Sequence, residues 1–508
     1  MDNLIKHEEV MDNKDKPASV ETINRLTMNM HLTLESLFKE LFADLRLKEV
    51  LKRDDVHGLS AEEKEYVEKV LRVHANLCYA YYCLCAHMRS SFKAKLVVEK
   101  QFNIRRSVGT LHEMYKYLYG FTQKQTLWLE IEECLRNKYP TECQAIDDAA
   151  LLFQQQYAQE EDGTLRDVTK HFSNDPTEFF RNMEKVSERS VTERIATASA
   201  YLQPLHLLLI KELKEHLGLL YDIAIVYPMP NQKFDISGIN KEKIEALGPT
   251  LLKYNGIAHY VIAQLNKVQD VCKNLNIDVT QNKHLKDLSE NNVGLHILYL
   301  YIDLMVTFRA FIASESYAEI RLNLAYLIVS AHEGLKKLYG FDLNKRSTSF
   351  WNRSIKTYIL QKGDAKAKHE VEILEKRLDS IAQSPLLHDE DMVVAFTHIG
   401  TIKKQKNESS FLVLDYFRQS ISNDEMNVLT DFLLIMNDIL VLYNQVMEWE
   451  NKQIQQETDS MFTGYIEKIN DFEMKVKERT QDPETIAKCE EMTGMVRELF
   501  LKIQNMFS

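Results

Sequence analysis

The stretch His112–Phe121, HEMYKYLYGF, returns 220 residues later as His332–Phe341, HEGLKKLYGF. Slid into register without a gap, the match runs upstream to Tyr81 and Tyr301, and 12 of those 41 positions are identical. A shared helical period would match apolar positions alone. It would not also match Arg89 with Arg309, Glu99 with Glu319, His112 with His332 and Glu113 with Glu333. The sequence therefore predicts two copies of one unit.

Working outward, the fold class is expected to be all-α. Only 15 Gly and 9 Pro punctuate 508 residues, a scarcity of breakers that suits long uninterrupted helices. Residues 1–18 read as a flexible polar tail and 19–224 as a first helical bundle. Segment 225–240, with two prolines and a glycine, reads as a linker, and 241–452 as a second bundle. Within the first bundle, Ser60 with Glu62 and Glu63 marks a helix start, and Gly120 a stop. Capping boxes at Ser190/Glu193 and Ser422/Glu425 are expected to open the last long helix of each half. Residues 453–508 have no counterpart in the first half and read as a C-terminal helical hairpin, packed on the body, on a partner or on a second copy.

The formal charge of −12 argues against a surface coated in nucleic acid, though not against a local basic site. Seven cysteines without CxxC spacing fit reduced thiols, and the N-terminus lacks the apolar core of a signal peptide. The most apolar run, 294–313, carries His296, Asp303 and Arg309, which suits a buried core helix better than a membrane span. These features predict a cytoplasmic protein without a membrane segment.

The repeated polar residues are expected to be structural. Arg89 precedes Glu99 by ten residues, as Arg309 precedes Glu319, so antiparallel helices can bring each pair together as a buried ion pair within its own copy. His112–Glu113 and His332–Glu333 are expected to serve the same packing. No Glu is followed three residues later by His, and there is no His-Glu-x-x-His, Walker loop or Gly-x-Gly-x-x-Gly. The sequence reading therefore assigns no metal and no cofactor.

One polar stretch stands apart: LRDVTKHFSNDP, residues 165–176. Its Arg166 can hold a phosphate while His171, titrating near neutrality, moves a proton of the ribose hydroxyl or leaving group. With Asp167 between them, this Arg-polar-x-x-x-His pattern resembles the motif of the HEPN superfamily (higher eukaryote and prokaryote nucleotide-binding). The resemblance implies small helical bundles that pair around a shared cleft, metal-independent endoribonuclease activity, and a place in stress or phage defence. It carries Arg166 and His171 as catalytic residues. The second half departs from the pattern, with His398 at the corresponding place but Val393 where the arginine would stand, so its copy is degenerate.

A basic stretch, 345–368, holds seven cations against Asp364, with Trp351 and Tyr358 interleaved. Lys345, Arg346, Trp351, Arg353 and Lys356 are its candidate RNA contacts, by phosphate pairing and base stacking. Two functions stand at this point: an RNA-directed, HEPN-like protein, or a non-catalytic helical interaction protein.

Overall fold

The computed structural model describes residues 20–53, 58–120, 126–157, 177, 179–181, 186–227, 241–274, 293–341, 343–397, 409–419 and 422–507. Among them there is no strand, so the fold is all-α. The helices are α1 (Val20–Leu51), α2 (Ala61–Lys93), α3 (Val97–Tyr119), α4 (Leu127–Arg136), α5 (Pro140–Tyr157), α6 (Glu188–Leu217), α7 (Leu219–Val226), α8 (Lys241–Ala246) and α9 (Gly248–Asn274). They continue as α10 (Val293–Ile312), α11 (Tyr317–Leu338), α12 (Lys356–Lys362), α13 (Ala365–Ala382), α14 (Glu390–Thr397), α15 (Ser409–Arg418), α16 (Asn423–Arg479) and α17 (Pro483–Phe507).

The chain divides into two compact units, and the division does not follow the repeat. One unit takes Met1–Phe350 and Arg377–Asn437; the other takes Trp351–Lys376 and Asp438–Ser508. The repeated blocks, on α2–α3 and α10–α11, thus share a unit.

Local chemistry explains the helix ends. At α2, Ser60 Oγ accepts from Glu63 N (3.2 Å) and Glu63 Oε2 from Ser60 N (2.8 Å), a reciprocal box. Gly120 closes α3 at φ 68°, a conformation open to glycine. The box expected at Ser190/Glu193 lies one turn earlier. Ser187 Oγ accepts from Ser190 N (3.1 Å), while Glu193 instead takes the Arg189 guanidinium (3.0 Å). The Ser422/Glu425 box is present (2.7 Å from Ser422 N to Glu425 Oε2). The helix it opens does not stop near residue 451. No proline interrupts 423–479, and α16 continues to Arg479 before the turn at 480–482.

In the first unit, α2 packs along α1, α3 and α6, and it is buried around most of its length, from Val67 to Ser91. Helix α10 is buried from Leu295 to Phe311 and packs on α11, α9 and α3. Among the described residues two helices, α10 and α16, are long and apolar enough by composition to cross a membrane; the most apolar window of α10 is 78% buried and its charges are paired. Asp303 Oδ1 lies 3.3 Å from both Arg105 and Arg106, and its Oδ2 accepts from Ser330 (2.6 Å).

The repeated charges meet in an exchanged pattern. Arg89 pairs with Glu319, not Glu99, and Arg309 pairs with Glu99, not Glu319. Each carboxylate works twice. Glu99 Oε2 caps its own helix at Lys95 N (3.1 Å) while Oε1 takes Arg309; Glu319 Oε2 caps at Glu315 N (2.8 Å) while Oε1 takes Arg89. The exchange extends inward. His87 Nε2 lies 3.0 Å from the Tyr326 hydroxyl, and the positions 220 residues on and back, Thr307 and Arg106, also hydrogen-bond. The expectation that each pair closes within its own copy is corrected. The helices of one block pack against those of the other, which brings the foreign partner nearer.

Candidate functional site

Besides the buried Asp303 network, two places among the described residues of the first unit gather polar side chains. One is the cleft beside the exchanged ion pairs, about 510 Å³, lined by Lys93, Lys95, Glu99, Glu245, Arg309, Glu315 and Glu319. Its charges are largely spent on one another: besides the two exchanged pairs, Glu315 takes Arg89 and Lys93 (3.1 Å for the lysine).

The other place lies between α1, α2 and α6. Helix α1 supplies Glu40 and, one turn on, Asp44; α2 supplies His74 and, one turn on, Cys78; α6 supplies His206. The four-residue spacing puts each pair on one helix face. Pro204 sits inside α6 two residues before His206; it has no N–H to donate back along the helix, which loosens the backbone there.

The geometry is compact. One donor atom each from Glu40, His74, Cys78 and His206 falls within 4.8 Å of every other. Cys78 Sγ is 3.5 Å from His206 Nε2, 3.6 Å from His74 Nε2 and 3.7 Å from Glu40 Oε2. His206 Nε2 is 2.9 Å from Glu40 Oε2, and the two imidazoles stack with centroids 5.1 Å apart. Behind them, His74 Nδ1 sits 2.8 and 3.0 Å from the two oxygens of Asp44. His74, Asp44 and Cys78 are fully buried, while Glu40 and His206 keep an edge in solvent. Burial pushes the Cys78 thiol well up and the Asp44 carboxyl up, the latter opposed by His74.

Nothing in the sequence reading pointed to this cluster. The only local signals are His74-x-x-x-Cys78 and Glu40-x-x-x-Asp44, spacings that recur by chance on many helices, and His206 lies 128 residues beyond Cys78.

Arg166, Asp167, His171 and His398 lie outside the described residues. Val393 is buried on α14. His112 is half-buried and Glu113 buried on α3; His332 is buried, its Nδ1 donating to Leu387 O (2.7 Å), with Glu333 beside it. In the basic stretch, Trp351 is fully buried, as is Trp128, so its ring offers no face to a base; burying so large an apolar surface outweighs display. Arg346 pairs with Asp379 and lies over the Tyr339 ring (4.5 Å). Lys356 reaches both oxygens of Glu375 (2.7 and 2.8 Å), and Lys362 pairs with Glu450 (2.8 Å). Arg353, Lys366 and Lys368 are exposed, and Lys345 falls in the short helical turn Leu343–Thr348.

No protein-family model, curated protein or solved structure matches the chain.

Proposed function

We propose that the protein is a helical interaction protein that self-associates through the hairpin of α16 and α17. The observation that carries this reading is an apolar face on both arms. Met461, Tyr465 and Phe472 share one face of α16 and are 51, 43 and 59% exposed; Met492, Met495 and Leu499 share one face of α17 at 68, 67 and 57%. The hairpin is pinned by Lys477–Glu490 (2.6 Å), Arg497 to Glu473, and Thr493 to Glu473 (3.1 Å). Two helices bury only the seam between them. A second copy of the hairpin, related by a two-fold axis, would complete a four-helix core with the same face on each side. Thioether side chains suit such a surface because they adapt their packing. Light scattering of the full chain should give a dimer, and Phe472→Asp with Met495→Asp should weaken association tenfold or more. A chain that stays monomeric at all concentrations would remove the reading.

A second reading, RNA-directed and HEPN-like, is supported by the Arg166/His171 motif and by the exposed cations Arg353, Lys366 and Lys368. On that reading single strands bind in a salt-dependent way, and cleavage survives EDTA and leaves a 2′,3′-cyclic phosphate. His171→Ala then lowers the rate by about 10²–10⁴. RNA cleavage that requires a divalent ion, or that persists in His171→Ala, would exclude it.

A further inference from the structure

We propose that Glu40, His74, Cys78 and His206 bind one zinc ion, which ties α1, α2 and α6 together. The donor set is two imidazoles, a thiol and a carboxylate, and its borderline nitrogens and soft sulfur favour zinc over magnesium or calcium. Its dimensions fit. Tetrahedral bonds of about 2.3 Å to sulfur and 2.0–2.1 Å to nitrogen and oxygen give ligand–ligand edges of roughly 3.3–3.6 Å. The three edges at Cys78 Sγ measure 3.5, 3.6 and 3.7 Å. The His206–Glu40 edge, 2.9 Å, is a direct hydrogen bond and opens by a few tenths of an ångström when both atoms turn to a metal.

An independent observation comes from behind the ligands. Asp44, fully buried, sits 2.8 Å from His74 Nδ1; with the proton on Nδ1, that nitrogen donates to the carboxylate and the Nε2 lone pair faces Cys78, 3.6 Å away. This carboxylate–imidazole support is how proteins fix the tautomer and aim of a metal-binding histidine. A fully buried acid without such a task is costly.

Four protein donors leave no position for substrate, so the ion is structural rather than catalytic. Glu40 and His206, with side chains 18 and 16% exposed, form the solvent side by which the ion enters.

The test uses the full-length chain. Protein grown and purified without chelator should carry about one zinc per chain by elemental analysis. Cobalt exchanged into the site should give a thiolate-to-cobalt charge-transfer band and tetrahedral ligand-field bands. Cys78→Ser should abolish the charge-transfer band, and His206→Ala should lower zinc affinity at least a hundredfold. Asp44→Asn should keep the one-to-one stoichiometry but weaken affinity about 10–100-fold, as expected of a supporting residue. Because Cys78 is deeply buried and its variants can misfold, Glu40→Gln at the solvent edge is read in parallel, with circular dichroism as the check on fold. Absence of stoichiometric zinc or cobalt after reconstitution overturns the proposal. So does a charge-transfer band that survives Cys78→Ser, or zinc affinity unmoved in both Glu40→Gln and His206→Ala.

Discussion

Helices α2 and α10 share the match from Tyr81 and Tyr301 onward, yet they differ sharply upstream of it. Near their C-terminal ends they are alike: Arg89 and Arg309 each cross to the other block's glutamate. Four turns earlier the register places His74 against Gly294 and Cys78 against Leu298. There the first helix carries chemistry and the second carries packing, with Leu298 4% exposed. The part of the repeat that joins the two blocks is held in common. Upstream of it the residues differ, and among the described residues the polar cluster stands on α2 alone.

Four measurements sharpen or break that comparison. The largest effect is expected at the joint. Arg89→Met leaves the buried Glu319 carboxylate without its counter-charge and should cost about 3–5 kcal/mol in chemical denaturation. Arg309→Met should cost less, because the Arg309 side chain is 17% exposed against 4% for Arg89. Equal losses would show that the blocks are more alike than their burial suggests. Next, chelation should lower the melting temperature of the wild type but not of a chain given the second block's residues, His74→Gly with Cys78→Leu. At zinc a hundredfold above its dissociation constant the difference is about 2.7 kcal/mol.

A third test uses His87, whose counterpart is Thr307. Burial, helped by Arg106, holds the imidazole's pKa well below the ordinary value, so the folded chain keeps it neutral. The unfolded chain takes up a proton below about pH 6.5, so stability is full above that pH and falls as pH drops. The fall is about 1.4 kcal/mol per unit while the folded imidazole remains neutral. The stability of the wild type relative to His87→Gln should therefore fall from pH 6.5 to 5; a difference that stays constant would deny the buried, neutral state. The smallest effect is at the helix starts. Ser316 Oγ accepts from Glu319 N (3.2 Å), whereas the matched Leu96 has no side-chain acceptor. Ser316→Ala should cost about 1 kcal/mol and Leu96→Ser should gain a similar amount, read as opposite shifts in melting temperature.

The all-α class was legible because breakers are rare and apolar spacing is helical throughout. The charges that join the blocks were legible too, since the two matching stretches carry the same residues at the same spacing. Their partners were not: a spacing of ten residues allows Arg89 to reach Glu99, and only the packing of one block on the other offers Glu319 instead. The His–Cys–carboxylate cluster was illegible for a related reason. Its members come from three helices, two of them far apart in the chain, and no metal motif spans such distances. Trp351 misled the reading of the basic stretch because an aromatic between cations looks the same in sequence whether it faces solvent or core.

The exchanged ion pairs also bear on the order of events during synthesis. When the first block has left the ribosome, Arg89 and Glu99 exist, but the residues that neutralise them do not. At about 5–20 residues per second the chain waits roughly 10–45 s for the matching positions 220 residues on. Until then α2 and α3 present a charged, half-finished surface to whatever is nearby. A second nascent chain at the same stage carries the complementary charges, Glu99 for Arg89 and Arg89 for Glu99. Neighbouring ribosomes on one message therefore hold the ingredients of a mispaired dimer, and the second block, arriving on the same chain, competes with it by proximity alone.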